Sequence, residues 1–431
     1  MAHAPIQILG AGLTGLSTAY HLGEGYDLHE RLAHAGGHVI TLEKDGFRFD
    51  RTGHLLHLRD KDIRAWMTEL LGDRFVSVQR KSRVWSQGVY TRYPYQANTF
   101  GLPPQTAYEC ITSFLEAQKK LAAGAPEPKS FEDFCLLHFG EGFSKHFMIP
   151  YNARLWGTHP RDMTAGWCAR FVPQPKLEDV IAGAVGLNDR ELGYNTEFLY
   201  PRTGIGELTT ALAKTTPRPI RYQHAPRAID WQNKQLEFDD GRVPYRALVS
   251  TAPLDVLVKL LLDAPAGVQA AGAKLRCNPL WYLDVALDRP CGIDMHWVYV
   301  PEEKYPFYRV GCYSNFSAEL APPGKSCLYV ELASRQTPDM RALLPEVAAG
   351  LTEMRIIDKP SDILFAEPRR IDHAYVVYDH NYYEALAVIQ PFLEEQGIVS
   401  AGRYGGWNYS SMEDALLFGR DAAKRAREIT G

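Results

Sequence analysis

Gly10, Gly12 and Gly15 stand at G-x-G-x-x-G spacing directly after the apolar run Ile6-Gln7-Ile8-Leu9, and Glu30 follows twenty residues after the first glycine. Residues of these types in this order can hold a dinucleotide. Gly10 permits the tight bend, Gly12 lets a pyrophosphate approach the backbone, and Gly15 lets helix and strand pack closely. Leu13 and Thr14 open the helix, whose unpaired N–H groups and partial positive charge attract phosphates. Glu30 is spaced to accept hydrogen bonds from an adenosine ribose. The elements that must position this set are a strand over 6–9, a helix over 13–22 and a second strand over 26–29.

The residues after Glu30 bear on which dinucleotide it is. Arg31-Leu32-Ala33-His34-Ala35-Gly36-Gly37-His38 brings a paired glycine shortly after the acid. This resembles the flavoprotein extension of the motif, in which the extra glycines wrap the FAD diphosphate and ribose. FAD is therefore expected, and NAD is disfavoured.

Length and composition set the frame. A chain of 431 residues exceeds what one hydrophobic core usually supports, so two or three domains are expected. With 45% hydrophobic and 23% charged residues it reads as a soluble globular protein. A net charge of −4 gives no reason to expect nucleic acid or an anionic membrane as partner. The cysteines at 110, 135, 168, 277, 291, 312 and 327 include no C-x-x-C, which argues for reduced thiols and against a disulfide framework or zinc site. His54 and His57 lack a third ligand of matching spacing, so no metal is expected. The N-terminus shows no leader pattern, and no apolar run approaches the ~20 residues of a membrane helix. A cytoplasmic location is the resulting expectation.

The fold class expected is α/β: a discontinuous Rossmann-like FAD-binding domain, a small helical domain and an antiparallel β-sheet substrate domain. Helical periodicity covers 60–71, 105–123 and 131–146, and a further helix is entered near Tyr200 and runs to 214. Strands are expected over 82–85 and 89–93, within an antiparallel run over 76–95. A hairpin over 228–238 turns at Asp239-Asp240-Gly241, and a strand returns over 247–250. Strands over 281–287, 296–300, 308–313 and 328–332 alternate apolar and polar residues, as in one large antiparallel sheet. The chain closes with a strand over 398–401, a glycine loop, and a helix over 412–429 whose Ser411 and Asp414 are spaced as a capping box. The final glycine loop can return to the site begun at Gly10. The division that follows is 1–80, 200–265 and 392–431 for FAD, 102–170 helical, and 81–101, 171–199 and 266–391 for substrate.

Tyr93-Pro94-Tyr95-Gln96 offers a second recognition element. Two tyrosines on a stiff loop can stack on a flat base while Gln96 reads its edge. By composition alone, a packed turn with buried rings is the commoner meaning of such a stretch.

Several separated stretches together resemble the flavin-dependent UDP-galactopyranose mutases. Pro306-Phe307-Tyr308-Arg309, followed by Tyr313-Ser314-Asn315-Phe316-Ser317, is similar to the eukaryotic-type segment in which an arginine holds the substrate diphosphate. Trp297 and Tyr299 match its sugar-side aromatics, and Tyr93, Tyr95 and Gln96 resemble the uridine clamp. Asn152 and Trp156 match a Y-N-x-x-x-W motif, and Arg170 resembles the arginine of the mobile loop. Gly53-His54 resembles the turn packed under the flavin ring. Gly402, Arg403 and Tyr409 match the C-terminal loop, whose arginine lies near the flavin and whose tyrosine meets the diphosphate; Tyr375 takes the role of the other diphosphate tyrosine. Asn408 stands where the family commonly has a second arginine, Tyr375-Val376 replaces a Tyr-Pro pair, and the loop after Arg170 offers only Gln174 and Lys176.

The resemblance implies FAD active in its reduced form, a UDP-linked sugar as substrate, and NAD(P)H as a possible reductant. The implied reaction interconverts pyranose and furanose rings through a covalent adduct at reduced flavin N5, of use in galactofuranose polysaccharide biosynthesis. Arg170, Arg309 and His54 are then the catalytic candidates. Two other readings share the first motif. One is an FAD oxidoreductase of the amine-oxidase or phytoene-desaturase type, which needs an apolar or amine pocket. The other is a binding protein that keeps fold and flavin without the chemistry.

Overall fold

A computed structural model describes residues 5–187 and 196–431. A five-stranded parallel sheet places Ile398–Ser400, Ala247–Ser250, Ile6–Leu9, Tyr26–His29 and Ile220–Arg221 side by side in that order. Three distant stretches of chain therefore meet in one sheet. Its central strands Ile6–Leu9, Tyr26–His29 and Ala247–Ser250 are buried at every residue, as a sheet covered on both faces requires. The helix Leu13–Leu22 lies against the final helix Met412–Thr430, in contact through Gly419, where a Cβ would come within 2.4 Å of the Ser17 Cβ. Ser17 and Thr14 hydroxyls donate to the Leu416 and Ala415 carbonyls at 2.6 and 2.9 Å. The Ser411–Asp414 capping box is present at the start of that last helix.

The second sheet has seven strands, in the order Ile363–Val376, Cys277–Leu287, Ser326–Leu332, Phe307–Cys312, Trp297–Tyr299, Ser82–Ser86, Val89–Arg92. Neighbours are antiparallel, as expected for the four strands read from alternation, and only the junction of Trp297–Tyr299 with Ser82–Ser86 is parallel. Strand periodicity sorts its two faces. Leu283, Val285, Leu287, Val310, Leu328 and Val330 form a core of their own with Val347 and Leu351 of the helix Met340–Glu353. Residues one step out of phase carry the polar and aromatic groups of the other face. Register aligns Tyr282, Glu331, Arg309 and Tyr299 as one row across four strands.

The strand Ile363–Val376 is absent from the sequence reading because Pro368 and the charges around it break the usual signature. It sits at the sheet edge, where a residue without an N–H is tolerated.

The helices Pro104–Ala122 and Phe131–Phe143 pair closely. The helix expected to continue to 146 is interrupted at Gly140, with φ of 79°, where a Cβ would sit 2.3 Å from the Ser113 carbonyl oxygen. A wider π turn, Ser144–Met148, then leads into Ile149–Trp156. The antiparallel run expected over 76–95 also divides: Phe75–Gln79 pairs with Glu197–Pro201, and only Ser82–Ser86 with Val89–Arg92. Among the described residues no helix is long and apolar enough to cross a membrane, and no His/Cys/Asp/Glu group is arranged to hold a metal.

Candidate functional site

The dinucleotide cradle is built from backbone. Gly10 has φ of 97°, and its N–H donates to the His29 carbonyl at 2.8 Å, joining the turn to the second strand. Gly15 packs so tightly that a Cβ would lie 1.8 Å from the Gly10 oxygen, whereas a Cβ on Gly12 would meet only the Gly37 Cα, at 3.9 Å. Gly12 thus faces open space at a helix N-terminus that no side chain caps. Gly36, with φ of 114°, donates its N–H to the Ala11 carbonyl at 2.8 Å, and Gly37 follows with φ of 60°. Leu13 is buried and Thr14 spends its hydroxyl on Ala415, so these two offer only backbone.

Glu30 is buried, and its oxygens accept from Ala11 N and Leu32 N at 2.7 Å each, which locks the carboxylate at the end of its strand. Arg31 is exposed. Gly402, with φ of 87°, closes the cradle from the C-terminal side: a Cβ there would come within 2.7 Å of the Thr14 hydroxyl. An open phosphate approach, an uncapped helix start and a fixed acid are the features a flavin dinucleotide needs.

Beyond the diphosphate end lies a group of bases with few acids. Gly53 has no room for a side chain, since a Cβ would stand 2.6 Å from the Tyr329 hydroxyl. His54 follows it, with its Nδ1 buried and unpartnered. Burial and the Arg403 guanidinium push the His54 imidazole down to about 4, and burial with Arg51 pushes His38 down to about 3. Both rings are neutral above pH ~5. Arg51 donates to His38 Nδ1 at 3.3 Å. Arg403 donates to the Ser410 and Ala374 carbonyls at 2.7 and 3.2 Å, packs 4.7 Å from the Tyr409 ring, and has no carboxylate partner among the described residues.

Beneath this turn Asp50 is fully enclosed. Thr41, Tyr200 and the Ile205 N–H all donate to its carboxyl group, and burial nonetheless pushes it up to about 7. The native state therefore holds a proton that the unfolded chain, near 3.8, releases, and this contribution to stability falls as pH rises between those values. Asp50→Asn removes the titration. Its melting temperature relative to wild type is expected to rise from about pH 4 to about pH 8, read from thermal melts across that range. A constant offset would rule out the assignment.

The polar face of the large sheet supplies the rest. Arg309 donates through Nε and Nη2 to the two oxygens of Glu331 at 2.9 and 2.6 Å, and through Nη2 to the Tyr375 hydroxyl at 3.1 Å. Burial opposes its charge most strongly; the Glu331 carboxylate, together with the hydroxyls of Tyr375, Tyr151 and Tyr329, favours it, and the balance holds the guanidinium well above its usual range. Its Nη1 makes no hydrogen bond among the described residues. Tyr375 and Tyr409 stack at 6.4 Å, and Trp156 stands edge-on to both at 5.6 Å with its indole Nε1 buried and unpartnered. Tyr299 lies 4.9 Å from Tyr93 and 5.3 Å from Tyr151. Trp297 is buried beside Phe198.

Most residues named from the sequence are brought together here, but some are placed otherwise. Tyr95 is completely enclosed, stacked at 5.0 Å on Phe147, and offers no face to a base: here the packed turn is what forms. Gln96 is buried as well; its Nε2 donates to the Pro173 carbonyl at 2.7 Å while its Oε1 is unpartnered. Asn152 donates to the carbonyl of Met148, at the end of the preceding π turn, at 2.7 Å. Arg170 points outward, 62% exposed, onto Asp414 at 2.9 Å, although its neighbour Phe171 packs 4.9 Å from Tyr409. His57 bonds to the Glu197 carbonyl.

Glu331 and Tyr329 were not found in the sequence. The available signal was a lone acid within the buried strand Ser326–Leu332, the pattern of a carboxylate paired in a core.

A family model described as flavin containing amine oxidoreductase matches residues 13–427. Among solved structures, the chain is similar to a crystal structure of reduced UDP-galactopyranose mutase, with a TM-score of 0.92 and 26% identity over 99% of this chain and 96% of that one. It is also similar to putrescine oxidase bound to putrescine, with a TM-score of 0.68 and 14% identity over 98% of each chain. A fatty acid isomerase from P. acnes gives a TM-score of 0.66 and 15% identity, again over 98% of each. The last two likenesses concern the fold alone.

Proposed function

This chain belongs to the flavin-containing amine oxidoreductase family and is FAD-dependent, and from that premise we propose that it is a nucleotide-sugar mutase interconverting pyranose and furanose forms of a UDP-linked sugar such as galactose. The observation that carries the reading is the Arg309 guanidinium, held through Nε and Nη2 by one buried carboxylate and bonded through Nη2 to the Tyr375 hydroxyl, with Nη1 left over; Tyr375 in turn packs against Tyr409 and Trp156. An amine oxidase needs an apolar slot for an amine. A fixed cation ringed by hydroxyl donors suits a diphosphate.

Bound FAD, once reduced by a donor such as NAD(P)H, supplies the electron-rich ring atom at which the sugar is exchanged without net oxidation. The protein's part is electrostatic and positional. Arg309 Nη1 and the hydroxyls of Tyr375 and Tyr409 donate to the diphosphate as its negative charge grows, which stabilises departure. Keeping it in place keeps it close for the return step. Arg170, at the rim, adds a second cation when it leaves Asp414. Half-buried Tyr299 offers a flat surface for the sugar, with Trp297 and Trp156 buried as supports, and Asn152 lies on the same helix as Trp156. The unpartnered Gln96 Oε1 suits a pyrimidine N–H, with Tyr93 as the stacking ring. His54 stays neutral and adds no charge beside the flavin.

The test is anaerobic incubation of dithionite-reduced protein with UDP-galactopyranose and UDP-galactofuranose separately, with products resolved by chromatography. Interconversion only after reduction is the expected outcome. Oxygen uptake with an amine, and no interconversion, would establish the oxidoreductase reading instead. UDP binding without product would support a binding protein.

A further inference from the structure

Resting on that reading, we propose that Tyr378 is a positioning residue that sets Tyr409 against the diphosphate. The loop from Trp407 to Ser410 has its backbone polar groups held individually. Trp407, with φ of 53°, gives its carbonyl to the Tyr382 hydroxyl at 2.6 Å, Asn408 N–H donates to the Arg403 carbonyl at 2.8 Å, and the Ser410 carbonyl accepts from Arg403. Tyr409 N–H donates to the Tyr378 hydroxyl oxygen at 2.7 Å. No other bond to that amide is present among the described residues.

Tyr378 is itself rigidly seated. It is buried, its ring stacks on Trp167 at 5.4 Å with an interplanar angle of 22° and lies 4.4 Å from Tyr382, and its carbonyl accepts from Thr164 N at 2.7 Å. It also follows three residues after Tyr375, two residues beyond the end of that edge strand at Val376. One fixed segment therefore carries one diphosphate hydroxyl directly and orients the residue bearing the other. Trp167 belongs to the same tower, since Trp156 stands edge-on to it at 4.9 Å. Loss of the Tyr378 oxygen keeps the ring stack and frees the Tyr409 amide, so Tyr409 keeps its surroundings and loses its aim.

The experiment measures UDP affinity by titration of the FAD-loaded protein and of Tyr378→Phe, Tyr409→Phe and the double variant. Tyr378→Phe is expected to weaken UDP binding about tenfold with unchanged flavin absorbance. The double variant should be no weaker than Tyr409→Phe alone, because Tyr378 acts through Tyr409. Additive losses, or no loss in Tyr378→Phe where Tyr409→Phe is weakened, would overturn the proposal. If wild type binds no UDP, the mutase reading fails and the proposal goes with it. Amide exchange in wild type is independent of whether the variant folds: slow exchange at Tyr409 that slows further with UDP is expected, and a fast-exchanging amide would overturn it.

Discussion

Arg309→Ala is expected to lower nucleotide-sugar turnover by about a thousandfold or more while FAD content, read from flavin absorbance, stays at one per chain. The size follows from what the guanidinium does. It is a largely buried cation of the polar sheet face, fixed in place before the charge grows on a departing diphosphate, whereas Arg170 lies exposed at the rim and is paired with Asp414. The structure adds a complication absent from the sequence reading. Glu331 is fully buried and accepts two hydrogen bonds from Arg309, so the alanine variant strands a carboxylate. Breaking a buried pair from one side costs about 3–5 kcal/mol, and a drop in melting temperature is expected alongside the lost activity.

Arg309→Ala combined with Glu331→Gln separates the two effects. Removing the stranded charge should return most of the stability and none of the turnover. Recovery of activity in the double variant would show that Arg309 matters only for folding. Retained activity in the single variant would remove it from the diphosphate site.

The second large effect is expected from one methyl group. In an open helix position, glycine to alanine stabilises by roughly 1 kcal/mol. At Gly15 the added Cβ would fall 1.8 Å from the Gly10 carbonyl oxygen, and backbone cannot swing aside as a side chain can. The helix cannot retreat either, because Gly419 of the last helix is already against Ser17 and the Thr14 carbonyl. Gly15→Ala is therefore expected to distort the phosphate turn and yield colourless protein, with FAD affinity at least about a hundredfold weaker by titration of the apoprotein. Gly267→Ala, where nothing lies within 4 Å of the new Cβ, is the matched control and should bind FAD normally. Normal FAD binding by Gly15→Ala would mean that the turn does not depend on close packing.

What could be read without the structure was local. The Gly10 turn, its helix and Glu30 are spaced by neighbouring-residue geometry, and the Ser411–Asp414 cap depends on a three-residue interval. Alternation exposed four of the seven strands now seen in the large sheet, because their two faces meet different surroundings. The edge strand Ile363–Val376 escaped, since an edge tolerates the proline and charges that disguise it. Tyr95 shows the opposite failure: a ring in a proline turn has the same composition whether it faces a ligand or Phe147, and packing decided for Phe147.

The sequence by itself determined the dinucleotide turn and the FAD expectation, because backbone conformation and short-range spacing follow from residue type; Arg309, Tyr375, Tyr409 and Trp156 were named only through the resemblance to the mutases. Tertiary structure alone decided how those residues are engaged. Arg309 meets Glu331, Tyr409 meets Tyr378 and Arg170 meets Asp414 across separations of 22, 31 and 244 residues. Such partners are chosen by strand register and by which layers pack together, and register is a property of the whole sheet that no single stretch encodes.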